Sequence, residues 1–197
     1  ICISQHHYVV SLLKKFGMDN CNPVHTPGTG KELTANPDGT ARFMTNPTSL
    51  HMGIVKRTLR YLKDAPNLNL TDSRDSNFEL TGFCDASYGT GDSERARSTS
   101  GSMYFLSSGV VHFSSSLLII TAQSTTDAEL IAMSTCAKQG IYLSSILGEL
   151  GWKKFRSVCV FCDNKRALLL AGQGNYGSKS KHLAIRFAGL RDWINQR

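Results

Sequence analysis

Three carboxylates in the second half of the chain could together hold divalent metal ions. They are Asp85 in the string Gly-Phe-Cys-Asp-Ala-Ser, Glu129 in Thr-Asp-Ala-Glu-Leu and Asp163 in Phe-Cys-Asp-Asn. Each lies where a predicted strand ends or a predicted helix begins, so separate elements can bring them together. Two magnesium ions about 4 Å apart need shared acidic ligands, because charged oxygens offset the cost of partly dehydrating such ions. The order Asp, Glu, Asp therefore predicts a two-metal site of the kind found in nucleases, with these residues as ligands and catalytic groups.

Each of the three carboxylates also has an ordinary structural explanation. Taken alone, Asp85 is typical of a turn, Glu129 of a solvated helix face, and Asp163 of a helix cap ahead of Asn164. The metal-site hypothesis therefore depends on their occurring together. It requires the three side chains to meet within about a dozen ångströms in the folded chain.

The composition favours one main domain with an anionic partner. A chain of 197 residues with 41% apolar side chains can bury one core and a small appendage. The net charge of +7 favours a nucleic-acid backbone as that partner, and the sequence leaves any protein partner unknown. The apolar runs are too short to span a bilayer, so we predict a soluble chain without membrane insertion.

The six cysteines are scattered without the paired spacing of a disulfide framework or a zinc site, which favours reduced thiols. Cys159 and Cys162 do form a C-x-x-C string. They lie on a predicted strand, however, where positions three apart face opposite sides of the sheet. Use of this pair for metal or redox chemistry is therefore the minor alternative.

Apolar periodicity predicts helices in the N-terminal part and a sheet with packed helices after it. The predicted elements are, in order, a helix over 5–16, a loop from 21 to about 46, a helix over 47–62, a strand over 78–86, a meander of strands over 102–107 and 110–121, helical stretches over 125–136 and 139–150, a strand over 157–163, a short helix to 171 and a final helix over 181–195. The second helix carries several basic side chains, for which a solvated face is favoured over phosphate contact.

Several strings, in this order, resemble copia-type retrotransposon polyproteins. They are Val55–Lys63, Asp85–Ser87, Arg97–Gly101, Thr125–Glu129, Cys162–Asn164 and Ser180–His182, with Ile3–Gln5 and Leu12–Met18 similar to the segment beyond the polymerase palm. The resemblance implies an α/β fold, a ribonuclease H-like mixed sheet flanked by helices, with a helical N-terminal appendage. It predicts a remnant of the reverse transcriptase C-terminal and connecting region over residues 1–74 and a ribonuclease H-like domain over 75–197.

The resemblance also implies an activity. Asp85, Glu129 and Asp163 would hold two Mg²⁺ or Mn²⁺ ions for hydrolysis of the RNA strand of an RNA–DNA hybrid, and Asp127 would be a noncatalytic neighbour. The partner is then an RNA–DNA hybrid or another nucleic acid. The expected location is intracellular, in the cytoplasm or nucleus.

The departures from the family pattern lower the expected activity. The family carries a fourth carboxylate beyond one further strand, so we expect the last strand and helix of the fold to be missing and one side of the sheet to be uncovered. A deletion after the Thr-Pro loop removes most of the connecting region, which excludes polymerase function. We therefore expect hybrid hydrolysis to be weak or lost.

An alternative is a noncatalytic binding module. The residues Arg57, Leu59 and Arg60 match the Arg-x-Leu-Arg (RxLR) string of oomycete secreted effectors that enter host cells. The chain begins with Ile1 rather than Met, which predicts a cut from a longer polypeptide or removal of an upstream segment. Secretion and delivery to a host cell would need a signal peptide before Ile1. The same string is ordinary in copia-type helices, so both interpretations stay open. A third alternative is an inert fragment of the element without a selected role, which the sequence does not distinguish from the binding module.

Overall fold

The computed structural model describes residues 2–28, 49–72, 78–89, 97–152, 157–173 and 181–195. The chain divides into two compact units, Ile1–Thr71 and Asp72–Arg197. The predicted domain boundary between residues 74 and 75, the predicted loop from residue 29 onward and the start of the predicted second helix lie outside the described residues. Among the helices described, none has the length and apolar character needed to span a membrane.

The first unit contains two helices and a short antiparallel ribbon. Helix α1 spans His6–Lys15, α2 spans Ser49–Asp64, and strand β1 (Cys2–Ser4) pairs with β2 (Asn69–Thr71). The helices bury Val9, Leu13 and Leu59 in a common core, because their apolar residues recur at helical spacing. The ribbon was not predicted, since strands of three residues are too short to show an alternating pattern.

The second unit is a four-stranded mixed sheet with helices. Its elements are β3 (Leu80–Ser87), β4 (Thr99–Leu106), β5 (Gly109–Leu117), α3 (Thr125–Glu149), β6 (Cys159–Cys162), α4 (Lys165–Gln173) and α5 (Lys181–Asn195). The strand order is β5-β4-β3-β6, with β3, β4 and β5 antiparallel and β6 parallel to β3. The predicted α/β class is confirmed: the second unit is a mixed sheet with helices, and the N-terminal unit is mainly helical.

Helix α3 is one helix of 25 residues, where the sequence predicted two helical stretches. It lies on the inner side of the sheet, and Tyr104 of β4 is completely buried beneath it. The Tyr104 hydroxyl donates a hydrogen bond to the Cys136 carbonyl oxygen at 2.6 Å. A Cβ atom would lie 2.6 Å from the Tyr104 ring at Gly82 and 2.5 Å from its hydroxyl oxygen at Gly140. The two glycines therefore make the room that this tyrosine needs.

The outer side of the sheet carries an exposed row of large apolar side chains. Phe83 is paired in the ladder with Met103 and with Phe161, and Met103 is paired with Phe113. Their exposed fractions range from 40% for Met103 to 77% for Phe113.

We expect Gly140→Ala to lower the free energy of unfolding by about 1–2 kcal/mol, because overpacking at Tyr104 outweighs the helix propensity that alanine adds. Tyr104→Phe removes the clashing oxygen and should restore part of this loss in the double variant. Gly82→Ala is the matched control, since its Cβ would meet ring carbons that phenylalanine keeps. Urea unfolding of the single and double variants measures these differences. Equal rescue of both glycine variants would contradict the packing described.

Candidate metal centre

Asp85 and Asp163 lie side by side at one end of the sheet. Cys84 of β3 is the ladder partner of Cys162 of β6, and an aspartate follows each cysteine. Because neighbouring strands are about 4.8 Å apart, parallel β3 and β6 present the two aspartates next to each other. Both residues are exposed, so their carboxylates are open to solvent ions.

Glu129 reaches the same end of the sheet from the first turns of α3. The Asp127 N–H donates to Ser124 Oγ at 3.1 Å, and the Gln123 N–H donates to Asp127 Oδ2 at 3.2 Å. These bonds fix the start of the helix and give Asp127 a capping role. Glu129 is only 6% exposed, whereas a solvated helix residue would be largely accessible. The backbone of Ala86, the residue after Asp85, hydrogen-bonds to its carboxylate.

A cysteine completes the cluster. Ligand atoms of Glu129, Cys162 and Asp163 all lie within 4.8 Å of one another, and the Cys162 thiol donates to Glu129 Oε2 at 3.7 Å. Cys162 was not among the metal ligands predicted from the sequence, because its thiol was considered only as a partner of Cys159. Cys159 is exposed. The position of Cys162 directly before Asp163 was the available signal.

The negative charges at this end of the sheet act on one another. The pKa of Glu129 lies above its usual value of 4.5, first because of burial, then because of the charges of Asp85 and Asp163, against a lowering by the Ala86 hydrogen bond. Burial also raises the pKa of the Cys162 thiol, and the Glu129 charge adds to this effect. A buried carboxylate whose charge is disfavoured by its surroundings fits a divalent cation, which would supply the missing positive charge. Of the three carboxylates named from the sequence, Glu129 and Asp163 lie in the cluster of ligand atoms. Asp85 lies outside that cluster but is near enough for its charge to raise the pKa of Glu129.

Asn164 provides the helix cap that was the alternative explanation for Asp163. The Ala167 N–H donates to Asn164 Oδ1 at 3.0 Å, at the start of α4. The cap therefore comes from the residue after Asp163. The Asp163 carboxylate lies instead with Glu129 and Cys162.

The residues of the Arg-x-Leu-Arg string hold the first unit together. Leu59 is 8% exposed and belongs to the core between α1 and α2. Arg57 Nε donates to the Gly28 carbonyl oxygen at 2.8 Å, and Arg57 also donates to Thr26 Oγ1 at 3.1 Å. Arg60 Nε donates to the Asn22 carbonyl oxygen. Both arginines thus attach the segment over 22–28 to α2. The sequence had predicted a solvated face or phosphate contacts for these basic side chains, and neither prediction included this role.

Comparison with known proteins identifies relatives along nearly the whole chain. The Retrovirus-related Pol polyprotein from transposon TNT 1-94 of Nicotiana tabacum is 28% identical over 232 residues, an alignment that covers 98% of this chain and 17% of the polyprotein. Secreted RxLR effector protein 161 of Plasmopara viticola is 32% identical over 116 residues, covering 59% of this chain and 81% of the effector. This chain is a homologue of transposon Pol polyproteins.

The chain spans about a sixth of the length of the tobacco Pol polyprotein that it matches. The alignment of 232 residues exceeds the 197 of this chain, so the tobacco Pol protein has internal residues without a counterpart here. Among solved structures, the N-terminal RNase H domain of a Mycobacterium tuberculosis protein is similar with a TM-score of 0.39 and 13% identity, covering 59% of this chain and 76% of that chain. No protein-family profile matches the chain.

We expect Glu129→Gln to become progressively more stable than the unchanged protein as the pH rises from about 4.5 toward 7 without metal. The raised pKa means that the folded chain binds more protons than the unfolded chain in this interval, so the unchanged protein loses stability there. Below the unfolded pKa the carboxyl is protonated in both states and the difference disappears. Urea unfolding at several pH values, in the presence of a chelator, measures the difference in the free energy of unfolding between the variant and the unchanged protein. Glu149→Gln, exposed at the other end of α3, is the control, and an equal pH effect in both variants would contradict the assignment.

Leu59→Ala should lower the free energy of unfolding of the first unit by about 2–5 kcal/mol, since it leaves a cavity in the core. Urea unfolding of the variant and of the unchanged protein measures this difference.

Arg57→Ala should increase protease cleavage of the segment over 22–28, because two hydrogen bonds that hold it are lost. Lys56→Ala, next to it on an exposed position, is the control for lost charge. Limited proteolysis with mapping of the cut sites provides the measurement. Identical cleavage of the Arg57 and Lys56 variants would show that Arg57 does not hold the segment.

Proposed function

We propose that the second unit is a retroelement-derived ribonuclease H-like domain that hydrolyses the RNA strand of RNA–DNA hybrids with Mg²⁺ or Mn²⁺. The observation that carries this proposal is the arrangement of three carboxylates at one end of the sheet. Asp85 and Asp163 follow neighbouring parallel strands, and Glu129 is close enough to be affected by both charges. The similarity to retrovirus-related Pol polyproteins supports the same activity.

The proposed ligands differ in burial, since one is buried and two are exposed. Glu129 is buried and oriented by the Ala86 backbone and the Cys162 thiol, so its position is fixed before a cation binds. Asp85 and Asp163 are exposed and can face both a cation and a phosphate. When bound, divalent cations would supply positive charge for the phosphate in the transition state and lower the pKa of the attacking water.

Nucleic-acid binding at this site should depend on the cation. The chain has a net charge of +7, which attracts a polyanion, but the carboxylate cluster repels phosphate until cations neutralise it. Contacts to phosphates would also make the affinity fall steeply with salt. We therefore propose an RNA–DNA hybrid, or another nucleic acid, as the partner.

The hydrolysis is expected to be weak. In the part of the second unit that the structure describes, three carboxylates lie at this end of the sheet, and two cations about 4 Å apart would have few acidic ligands to share. An interaction that the transition state does not receive lowers the rate directly.

We also propose that the first unit, Ile1–Thr71, derives from the C-terminal region of a reverse transcriptase. The strings Ile3–Gln5 and Leu12–Met18 support this origin, and so does an alignment with the tobacco Pol polyprotein over 98% of the chain. Within this unit the basic residues of α2 bind backbone carbonyl oxygens of its own chain. Their contribution is to the packing of the unit.

The second candidate function is a noncatalytic binding module delivered as a secreted effector. The 32% identity to effector protein 161 over most of its length favours it. Under this alternative the Arg-x-Leu-Arg residues would have to leave the contacts that hold the segment over 22–28 in order to be recognised. A cleavable signal sequence encoded upstream of Ile1 would support it.

We expect the chain to cleave the RNA of a labelled RNA–DNA hybrid slowly in Mg²⁺ or Mn²⁺, and Asp85→Asn to abolish cleavage, since it removes a charged metal ligand. Asp192→Asn, at an exposed position on α5, is the matched control and should keep the activity. Gel electrophoresis of the labelled RNA measures the rate. Cleavage that is undiminished in Asp85→Asn would overturn the proposed site. If the unchanged protein and both variants bind the hybrid but none cleaves it, the proposed hydrolase is wrong and the noncatalytic binding module is supported.

A further inference from the structure

We infer that Cys162 makes this cluster a site for thiophilic divalent cations such as zinc and cadmium, bound by Cys162 Sγ together with carboxylate oxygens of Glu129 and Asp163. The inference concerns the proposed metal centre and rests on its location, but not on hydrolysis. It predicts that such cations compete with magnesium for two of the three carboxylates.

The distances agree with a compact coordination sphere. The three ligand atoms lie within 4.8 Å of one another, and Sγ is 3.7 Å from Glu129 Oε2. Ligands about 2.0–2.3 Å from a tetrahedral zinc ion are about 3.3–3.8 Å from one another. The sulfur–oxygen pair already has this separation, so binding requires little movement of these two atoms. Three protein ligands would leave one position open, as in catalytic zinc sites.

The donor types select the cation. Magnesium prefers oxygen ligands and is reluctant to lose its water, whereas zinc and cadmium accept thiolate sulfur. The Cys162 thiol proton is directed at Glu129 in the metal-free protein. When the cation binds, the sulfur–metal bond replaces the sulfur–hydrogen bond and the proton is released to solvent. A thiol at this position therefore favours the softer ion.

The geometry separates this site from the C-x-x-C string. Cys159 begins β6 and is exposed, while Cys162 ends it and lies beside Glu129. The two cysteines therefore do not form a common ligand pair. The ligands of the inferred site come from α3 and from the end of β6, so the site exists only when the helix is packed on the sheet.

The test is a cadmium titration of the whole reduced chain after removal of metal, followed by the ultraviolet charge-transfer band of the cadmium–thiolate bond. The unchanged protein should show the band, and Cys162→Ser should lose it and bind cadmium at least about tenfold more weakly. Cys159→Ser is the matched control and should behave like the unchanged protein. A band of unchanged size and affinity in Cys162→Ser, or its absence from the unchanged protein, would overturn the inference.

A second variant keeps the test decisive if Cys162→Ser fails to fold. Asp163→Asn retains all cysteines and should keep the band at saturation, but weaken cadmium binding by about tenfold or more. Unchanged affinity in this variant would mean that the thiol binds cadmium without the cluster. Circular dichroism of each variant verifies folding.

Hybrid cleavage in magnesium, measured on the same samples, separates the two proposals. A cadmium band without cleavage would remove the hydrolase and keep the thiophilic site. Cleavage without the cadmium band would support the hydrolase and overturn the thiophilic site. If both hold, zinc should inhibit cleavage more strongly in the unchanged protein than in Cys162→Ser.

Discussion

Packing of α3 on the inner side of the sheet is the constraint on which the candidate metal centre depends. The helix buries Tyr104 against Gly82 and Gly140, and the Tyr104 hydroxyl is bonded to the helix backbone at Cys136. This contact fixes the helix over β3 and β4. Since Glu129 lies in the first turns of the same helix, the packing also fixes where its carboxylate meets the ends of β3 and β6. The chemistry at one end of the sheet is therefore supported by apolar packing near its middle.

The site carries an electrostatic cost that is a sign of function. Burial and two neighbouring carboxylates disfavour the charged form of Glu129, and a chain selected only for stability has no need of this arrangement. A buried carboxylate whose charge is unfavourable without a cation, and is neutralised when a cation binds, is typical of binding sites. The thiol of Cys162 adds a softer donor to the same group. Cation selectivity at this centre then depends on one cysteine as well as on the carboxylates.

One stretch of sequence supports two different comparisons, with Pol polyproteins and with a secreted effector. The structure explains why a short motif cannot decide between them. Arg57, Leu59 and Arg60 occur together because each stabilises α2 and the segment packed on it. A string that is needed for folding persists in any descendant of the fold, whatever that descendant does. Evidence about the function must therefore come from the carboxylate centre, where folding alone does not require the residues.

Much of the fold could be predicted from local pattern. Alternating apolar residues indicated the meander, helical periodicity indicated α1, α2 and α5, and three separate strings indicated Asp85, Glu129 and Asp163. The sequence did not predict that α3 is one continuous helix. Gly140 lies inside this helix because a larger residue would clash with Tyr104 of β4, which is distant in sequence. The ribbon between β1 and β2 was missed because it joins residues at opposite ends of the first unit.

The sequence by itself determined the kinds of elements and the carboxylates available, since both depend on residue type and near neighbours. Only the tertiary structure decided that Cys162 joins Glu129 and Asp163, that Asp127 and Asn164 serve as caps, and that the arginines of α2 bind their own chain. These outcomes depend on the register of β6 against β3 and on the packing of helices. Such long-range contacts leave no periodic signal in the chain, because they join residues that are far apart in sequence.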